Sequence, residues 1–152
     1  MAIRYAASPW AAAFSPTTED IGKLAEQAYR ALPENFHAMC GDIIIRVEEI
    51  ADPELVEFLG GSSSYDLMGL FHPAGESLID NIQDALETHA VILFRRAILD
   101  YWADIDETLG NIITHIIVQE IGRQFGLNDD ELEKIEIATQ NEAERDANSI
   151  MQ

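Results

Sequence analysis

The sequence predicts an α+β fold with about three strands placed before two long helices. Three short runs rich in β-branched and apolar residues, typical of strands, lie within 41–50, 67–71 and 90–94. Two long segments with helical periodicity follow, beginning at residue 108. Because the strands are segregated from the long helices in the sequence, the pattern favours α+β over an alternating α/β fold.

The length of 152 residues is that of one domain, and such a domain buries enough surface to need no disulfides. We expect residues 1–16 to be a flexible N-terminal lead-in and 17–147 to form the single domain. Residues 148–152 are expected to be a C-terminal tail. We find no internal repeat.

The first helix is expected to begin with Thr17 or Thr18 as its N-cap, followed by acidic residues in the first turn, and to end before Pro33. After the strand in 41–50, residues 53–59 are short helix or irregular structure, and the Gly-Gly-Ser-Ser-Ser run of 60–64 is a loop. The pattern of 76–87 fits a helix or a loop equally well.

The last part of the chain carries the clearest helical signals. Residues 95–102 continue the third strand as a short helix. Residues 108–125 form a helix with an apolar stripe of Leu, Ile and Phe at i, i+3, i+4 spacing. Gly126 stands where a helix C′ glycine is expected, and Asn128 is the expected N-cap of the last helix.

The charge of the chain excludes several classes of partner. Nine Lys and Arg against 28 Asp and Glu give a net charge of −19, which repels nucleic acid and anionic membrane surfaces. The same charge favours a basic partner. The single cysteine and the N-terminal run, whose apolar stretch is interrupted at Ser8, Pro9 and Trp10, predict a cytoplasmic protein without a secretory leader.

Three of the four histidines and the cysteine are predicted to be structural residues and not site residues. His37, His72 and His89 lie in separate segments, so each is expected in a turn or on the surface. Cys40, in a turn before the first strand, is expected to be a buried structural thiol. The acidic run 128–136 lacks the alternating spacing of a calcium loop and is explained as the start of a helix.

One polar residue interrupts the apolar stripe of the central helix. Glu120 lies at its edge, and a buried carboxylate is costly unless it is paired or functional. Taken by itself, the pattern favours a solvated side chain or a pair with Arg123 or a strand arginine.

The segment from Thr114 to Asp130, Thr-His-Ile-Ile-Val-Gln-Glu-Ile-Gly-Arg-Gln-Phe-Gly-Leu-Asn-Asp-Asp, resembles the active-site helix of the bacterial minimal zincin-type metallopeptidases. Members of that family carry His-Glu-x-x-His-x-Phe-Gly-x-x-Asp-Asp there. Segments 41–49, 66–71 and 91–102 agree in type and order, so the resemblance covers about residues 17–136. It implies a zincin-like α+β fold, with a small mixed sheet packed against long helices.

The resemblance also implies roles for individual residues. Glu120 matches the general base, Gly126 the turn glycine and Asp129 the third zinc ligand. The two positions of the histidine ligands hold Gln119 and Arg123, and a further family histidine is replaced by Gln124.

These replacements remove the chemistry that holds zinc. An amide oxygen is a weak zinc ligand, and a guanidinium has no lone pair to donate and stays charged. We therefore expect no bound cofactor, although the family binds zinc, and we expect Arg123 to form an ion pair with Glu120 or Asp129 in the vacated site. A shifted metal site using His115 is the alternative.

Three functions follow from this sequence. The first is a zincin-fold homologue that has lost zinc binding and peptidase activity and binds a peptide or protein segment along an edge strand. The second is an active metal-dependent peptidase with unconventional ligands. The third is an acidic decoy for basic or nucleic-acid-binding proteins, which only the charge supports.

Overall fold

The computed structural model describes residues 8–76 and 87–150, which fold into six α-helices and a three-stranded sheet. In chain order these are α1 (Thr18–Ala31), α2 (Glu34–Cys40), β1 (Ile43–Glu48), α3 (Pro53–Phe58), β2 (Gly69–His72), β3 (His89–Phe94), α4 (Arg95–Asp104), α5 (Leu109–Gln124) and α6 (Asp129–Ile150). The α+β prediction is confirmed. Residues 77–86, most of the segment that fits a helix or a loop, lie outside the described residues. No helix in the described part is long and apolar enough to cross a membrane.

The long helices begin where their capping residues predict. The Thr17 N–H donates to the Asp20 carboxylate at 2.8 Å, and the Asp20 N–H donates to the Thr17 hydroxyl at 3.1 Å, which closes a capping box at α1. At α6 the Glu131 N–H donates to the Asn128 side chain at 2.9 Å. Local hydrogen bonding therefore sets both starts.

Helix α2 and the start of β2 correct the sequence expectations. Cys40 ends α2 instead of lying in a turn, and its side chain is buried one turn after Phe36. The helix has only seven residues, too few for its periodicity to be distinguished from a turn. Strand β2 begins at Gly69 and not at Leu67, because a 3₁₀ turn over Ser64–Asp66 precedes it.

The sheet is mixed and has the order β1-β3-β2. Strand β1 runs parallel to β3, with Ile43 opposite His89, and β2 runs antiparallel to β3, with Gly69 opposite Leu93. The main core lies between this sheet and the helices α1, α5 and α6. Within the described residues β2 therefore forms one edge of the sheet, beside α5.

Two glycines set the position of α5. A Cβ placed on Gly69 of β2 would lie 2.5 Å from Cγ2 of Ile116, and a Cβ on Gly122 would overlap the buried Leu132 of α6. A side chain at either glycine would require Ile116 or Leu132 to move. Helix α5 is thus packed directly against the edge strand on one side and against α6 on the other.

Arg95 ties the segment before α1 to the end of the sheet. Its Nε donates to the Pro16 carbonyl at 2.6 Å and its guanidinium donates to the Ser15 hydroxyl at 2.9 Å. The same group pairs with the Glu49 carboxylate at 3.1 Å. Three acceptors thus hold this arginine, whose side chain is only 17% exposed.

Candidate functional site

The residues that match the family motif lie on the last two turns of α5. Because residues three and four apart share a helix face, Gln119, Glu120 and Arg123 lie together there. Gln119 and Glu120 are half-buried, whereas Arg123 is exposed. Glu120 follows Ile116 by one turn on the side of the helix that contacts β2.

Glu120 faces the edge strand and is held in an environment that disfavours its charge. Burial raises the pKa of its carboxyl group, whereas the positive charge of Arg123 and the backbone of Phe71 act in the opposite direction. The backbone of Phe71 in β2 is therefore close to this carboxyl group. A carboxyl group with a raised pKa donates a hydrogen bond when protonated and accepts one when ionised. Beside an edge strand, it can therefore bind a ligand that pairs with that strand.

The edge of β2 offers backbone groups next to Glu120. The Phe94 N–H donates to the Met68 carbonyl at 2.9 Å, which places the even-numbered residues of this strand in the ladder with β3. Successive residues of a strand direct their backbone groups to opposite sides. Gly69 and Phe71 therefore direct their N–H and C=O groups away from β3, along the side called here the free edge of β2, which pairs with no other strand of residues 8–76 and 87–150.

Arg123 does not form the expected ion pair. In the described part of the chain no carboxylate oxygen lies within 4.0 Å of its guanidinium, neither that of Glu120 nor that of Asp129. Its effect on Glu120 is thus a longer-range Coulombic one. The half-buried Glu120 turns toward β2 while Arg123 extends into solvent, which separates the two charges.

Gly126 ends α5 as the sequence predicts. Its φ is +82°, and the N–H groups of Gly126 and Leu127 donate to the carbonyls of Arg123 and Gly122, at 3.2 and 3.0 Å. This is a Schellman motif, which needs a residue that adopts a positive φ without strain. The turn leads into α6, whose first residue, Asp129, is exposed.

His115 makes a contact that the sequence does not predict. Its Nδ1 lies 2.8 Å from Oε2 of Glu136 on α6, and the amide of Gln140 donates to the other oxygen of Glu136 at 3.4 Å. The histidine and the glutamate are 21 residues apart, so no local spacing points to the pair. The pair lies on the side of α5 that faces α6, away from the free edge of β2.

The histidines of β2 and β3 correct a second expectation. His72 is buried in β2, and His89 is half-buried in β3. The Ala74 N–H donates to Nδ1 of His89 at 2.8 Å, which places the proton of the neutral ring on Nε2. The ring of His89 also packs near the rings of Phe71 and Phe125, with centroids 5.3 and 6.2 Å away. His37 lies in α2, edge-on to a tyrosine ring of α1.

The donor set at the motif does not fit zinc. In residues 8–76 and 87–150 no three His, Cys, Asp or Glu side chains lie close enough together to hold a metal ion. The two helix positions that face the site provide an amide and a guanidinium, of which only the amide has a lone pair to donate. Glu120 and Asp129 are the remaining oxygen donors of the motif.

A family model described as Zincin-like metallopeptidase matches residues 40–139 of the chain. The match extends from the end of α2 through the sheet and α5 into α6, and so includes every residue of the site. No curated protein matches the chain.

Proposed function

Because the chain belongs to the zincin-like metallopeptidase family, which the match over more than half of its length shows, we propose that it is a member that works without zinc and without peptidase activity. Its function is to bind a peptide or protein segment, with basic segments preferred. The observation that carries this proposal is the pair Gln119 and Arg123 at the two ligand positions of α5, beside a retained Glu120.

The loss of metal binding follows from the chemistry of the two side chains. A neutral amide oxygen binds zinc far more weakly than an imidazole does. The guanidinium of Arg123 stays protonated and repels a dication. Glu120 and Asp129 alone supply too few ligands for a tetrahedral ion.

The binding role is supported by the free edge of β2. Gly69 and Phe71 present outward N–H and C=O groups, and a ligand that lies antiparallel to β2 extends the sheet by backbone hydrogen bonds. Glu120 stands beside this edge and accepts from, or donates to, the backbone of the ligand. The net charge of −19 attracts basic segments and speeds their association.

Metal analysis of the purified protein tests the first half of the proposal. Protein prepared without chelators, before and after addition of equimolar zinc followed by desalting, is expected to carry far less than one zinc per chain. One tightly held zinc per chain would overturn the proposal. Amide hydrogen exchange with and without bound peptide tests the second half, and protection is expected at Gly69 and Phe71.

A metal-dependent peptidase with unconventional ligands is the second candidate, and the His115–Glu136 pair favours it. An imidazole and a carboxylate 2.8 Å apart are two of the ligand types that zinc prefers. If this pair held zinc, His115→Ala would abolish the bound metal and any peptidase activity, whereas the control His37→Ala on α2 would leave both unchanged.

A further inference from the structure

We infer that the N-terminal segment, residues 1–14, binds the free edge of β2 in its own chain and occupies it until another peptide displaces it. This inference rests on the proposed peptide-binding function and names one occupant of the site. In the described conformation Pro9–Ala12 form a 3₁₀ helix and do not pair with β2, so this conformation is the open state of the segment.

The segment differs in charge from the rest of the chain. All 28 acidic residues lie at or after Glu19, and Arg4 is the one charged side chain in residues 1–18. These 18 residues therefore have a charge of +1, whereas the remaining residues have 8 − 28 = −20. The acidic domain attracts such a segment, in the same way as it attracts the basic peptides proposed as ligands.

The described part of the segment exposes two aromatic side chains. Trp10 is 79% exposed and Phe14 is 94% exposed, and they are the most exposed of the large apolar side chains that the structure describes. Docking of the segment on the domain gives both side chains a surface to cover, and the hydrophobic effect favours this burial.

The attachment point of the segment sets its direction on β2. Arg95, which directly follows β3, binds the Ser15 hydroxyl and the Pro16 carbonyl. Because the end of β3 pairs with the start of β2, these contacts hold the segment at the Gly69 end of β2. A segment that lies on β2 and leads into this point runs from the His72 end toward the Gly69 end. It is therefore antiparallel to β2, as the proposed peptide ligand is.

The segment is also long enough to cover the free edge. Phe14 and Leu109 line one cavity, and Ile116, two turns after Leu109 in α5, lies against Gly69. This path is about 10 Å along the helix, and the four residues of β2 add about 13 Å. The 13 residues before Phe14 span up to about 43 Å when extended, which exceeds the sum of both distances.

Residues 2–7 are the part suited to pair with β2. They contain no proline, so each has a backbone N–H, and Ile3 and Tyr5 favour strands. Pro9 lacks this donor and ends the run. In an antiparallel pair, alternate residues of this run form hydrogen bonds with Gly69 and Phe71.

Amide hydrogen exchange of the full-length protein without added peptide tests the inference. Exchange at the Gly69 N–H is compared between the unmodified chain and the double variant Tyr5→Pro, Ala6→Pro. Two successive prolines remove a donor from each of the two alternating sets of residues, so the segment cannot pair as a strand. We expect exchange at Gly69 to be about tenfold faster in the variant, as for a segment that is bound most of the time.

The double variant Tyr5→Phe, Ala6→Ser is the matched control, because it keeps both N–H groups. It is expected to exchange at Gly69 like the unmodified chain, and the buried Ile117 is the reference amide that shows the fold to be retained. Exchange at Gly69 is expected to be the same after tenfold dilution of the protein. Faster exchange on dilution would show that the segment binds a second copy, which overturns binding within one chain.

A synthetic peptide of residues 1–14 separates failure of the inference from failure of the proposed function. Added to the proline variant, it is expected to slow exchange at Gly69. If Gly69 exchanges equally in the unmodified chain and in the proline variant, but the peptide slows it, the edge binds peptides and the inference alone fails. If neither this peptide nor a pool of randomised octapeptides slows exchange at Gly69, the proposed function fails together with the inference.

Discussion

The two sides of α5 differ in how much change they tolerate. On its side facing α6, called here the packed side, Gly122 lies against the buried Leu132 with no room for a Cβ. On the site side, Gln119 and Glu120 are half-buried, and Arg123 is exposed. The site side is where this chain departs from the family motif, at Gln119 and Arg123.

From this difference we expect fold and metal binding to depend on separate residues of one helix. Substitutions on the packed side force the core to rearrange, so they are opposed by the stability of the whole domain. Substitutions at the half-buried Gln119 and the exposed Arg123 displace few core atoms, so we expect them to be nearly neutral for folding and to act on metal binding instead. A metal site on such a helix is lost without loss of the fold.

The largest expected effect is the return of zinc binding in the double variant Gln119→His, Arg123→His. It places two imidazoles one turn apart on one helix face, with Asp129 as the third ligand. The affinity for zinc is expected to rise by more than about a thousandfold, to one ion per chain by elemental analysis.

The single variants Gln119→His and Arg123→His are the controls, because each restores only one ligand. A double variant that stays free of zinc would show that the packed side alone does not keep the site in place and that the turn to Asp129 has also changed.

The next largest effect tests the packed side itself. Gly122→Ala drives a Cβ into the buried Leu132, and we expect a loss of about 1–3 kcal/mol in the free energy of unfolding, measured with urea. Gly110→Ala, in the same helix, is the matched control. No atom lies within 4 Å of the added Cβ there, so it is expected to stabilise the helix by about 0.5–1 kcal/mol. Equal effects at both glycines would contradict the close packing of α5 on α6.

The smallest effect concerns Glu120. Its pKa is raised by burial, so the folded state holds this proton more tightly than the unfolded state does. The stability that this group contributes is therefore present in acid and is lost as the pH rises through its folded-state pKa. Glu120→Gln does not titrate, and we expect it to be more stable than the unmodified protein at neutral pH, by less than about 1 kcal/mol.

Thermal melts across the acid range measure this difference, which should disappear at low pH. Glu133→Gln, on the exposed side of α6, is the control without burial. A Glu120→Gln variant that is less stable at neutral pH would indicate that the attraction of Arg123 outweighs the cost of burial.

The sequence predicts the elements whose signals are local. Helix α5, expected over 108–125, spans Leu109–Gln124, and the strand expected at 90–94 spans His89–Phe94. Thr17 and Asn128 each accept a hydrogen bond from a backbone N–H three residues later, so the local sequence is sufficient to predict both caps. The family resemblance on α5 is confirmed by the family match.

The remaining features depend on partners that are distant in the sequence. The expected pair of Arg123 and Glu120 follows from helix spacing alone, but burial of Glu120 against β2 turns its carboxyl group away. The contact between His115 and Glu136 needs the packing of α5 on α6. The strand order β1-β3-β2 likewise has no local signal, because both outer strands precede the central one.

That strand order also bears on how the chain folds. Pairing His72 with Ala90 closes a loop of 90 − 72 = 18 residues, whereas pairing Ile43 with His89 closes one of 89 − 43 = 46. The longer closure costs about 0.8 kcal/mol more in chain entropy, so the antiparallel pair forms the more accessible nucleus. Until β1 docks, that nucleus exposes the outer edge of β2 and the edge of β3 to which β1 later binds, and β1 is synthesised before its partner strand β3. A nascent chain therefore carries the Ile-Ile-Ile run of β1 without a partner strand, and an unpaired apolar strand of this kind is prone to aggregate.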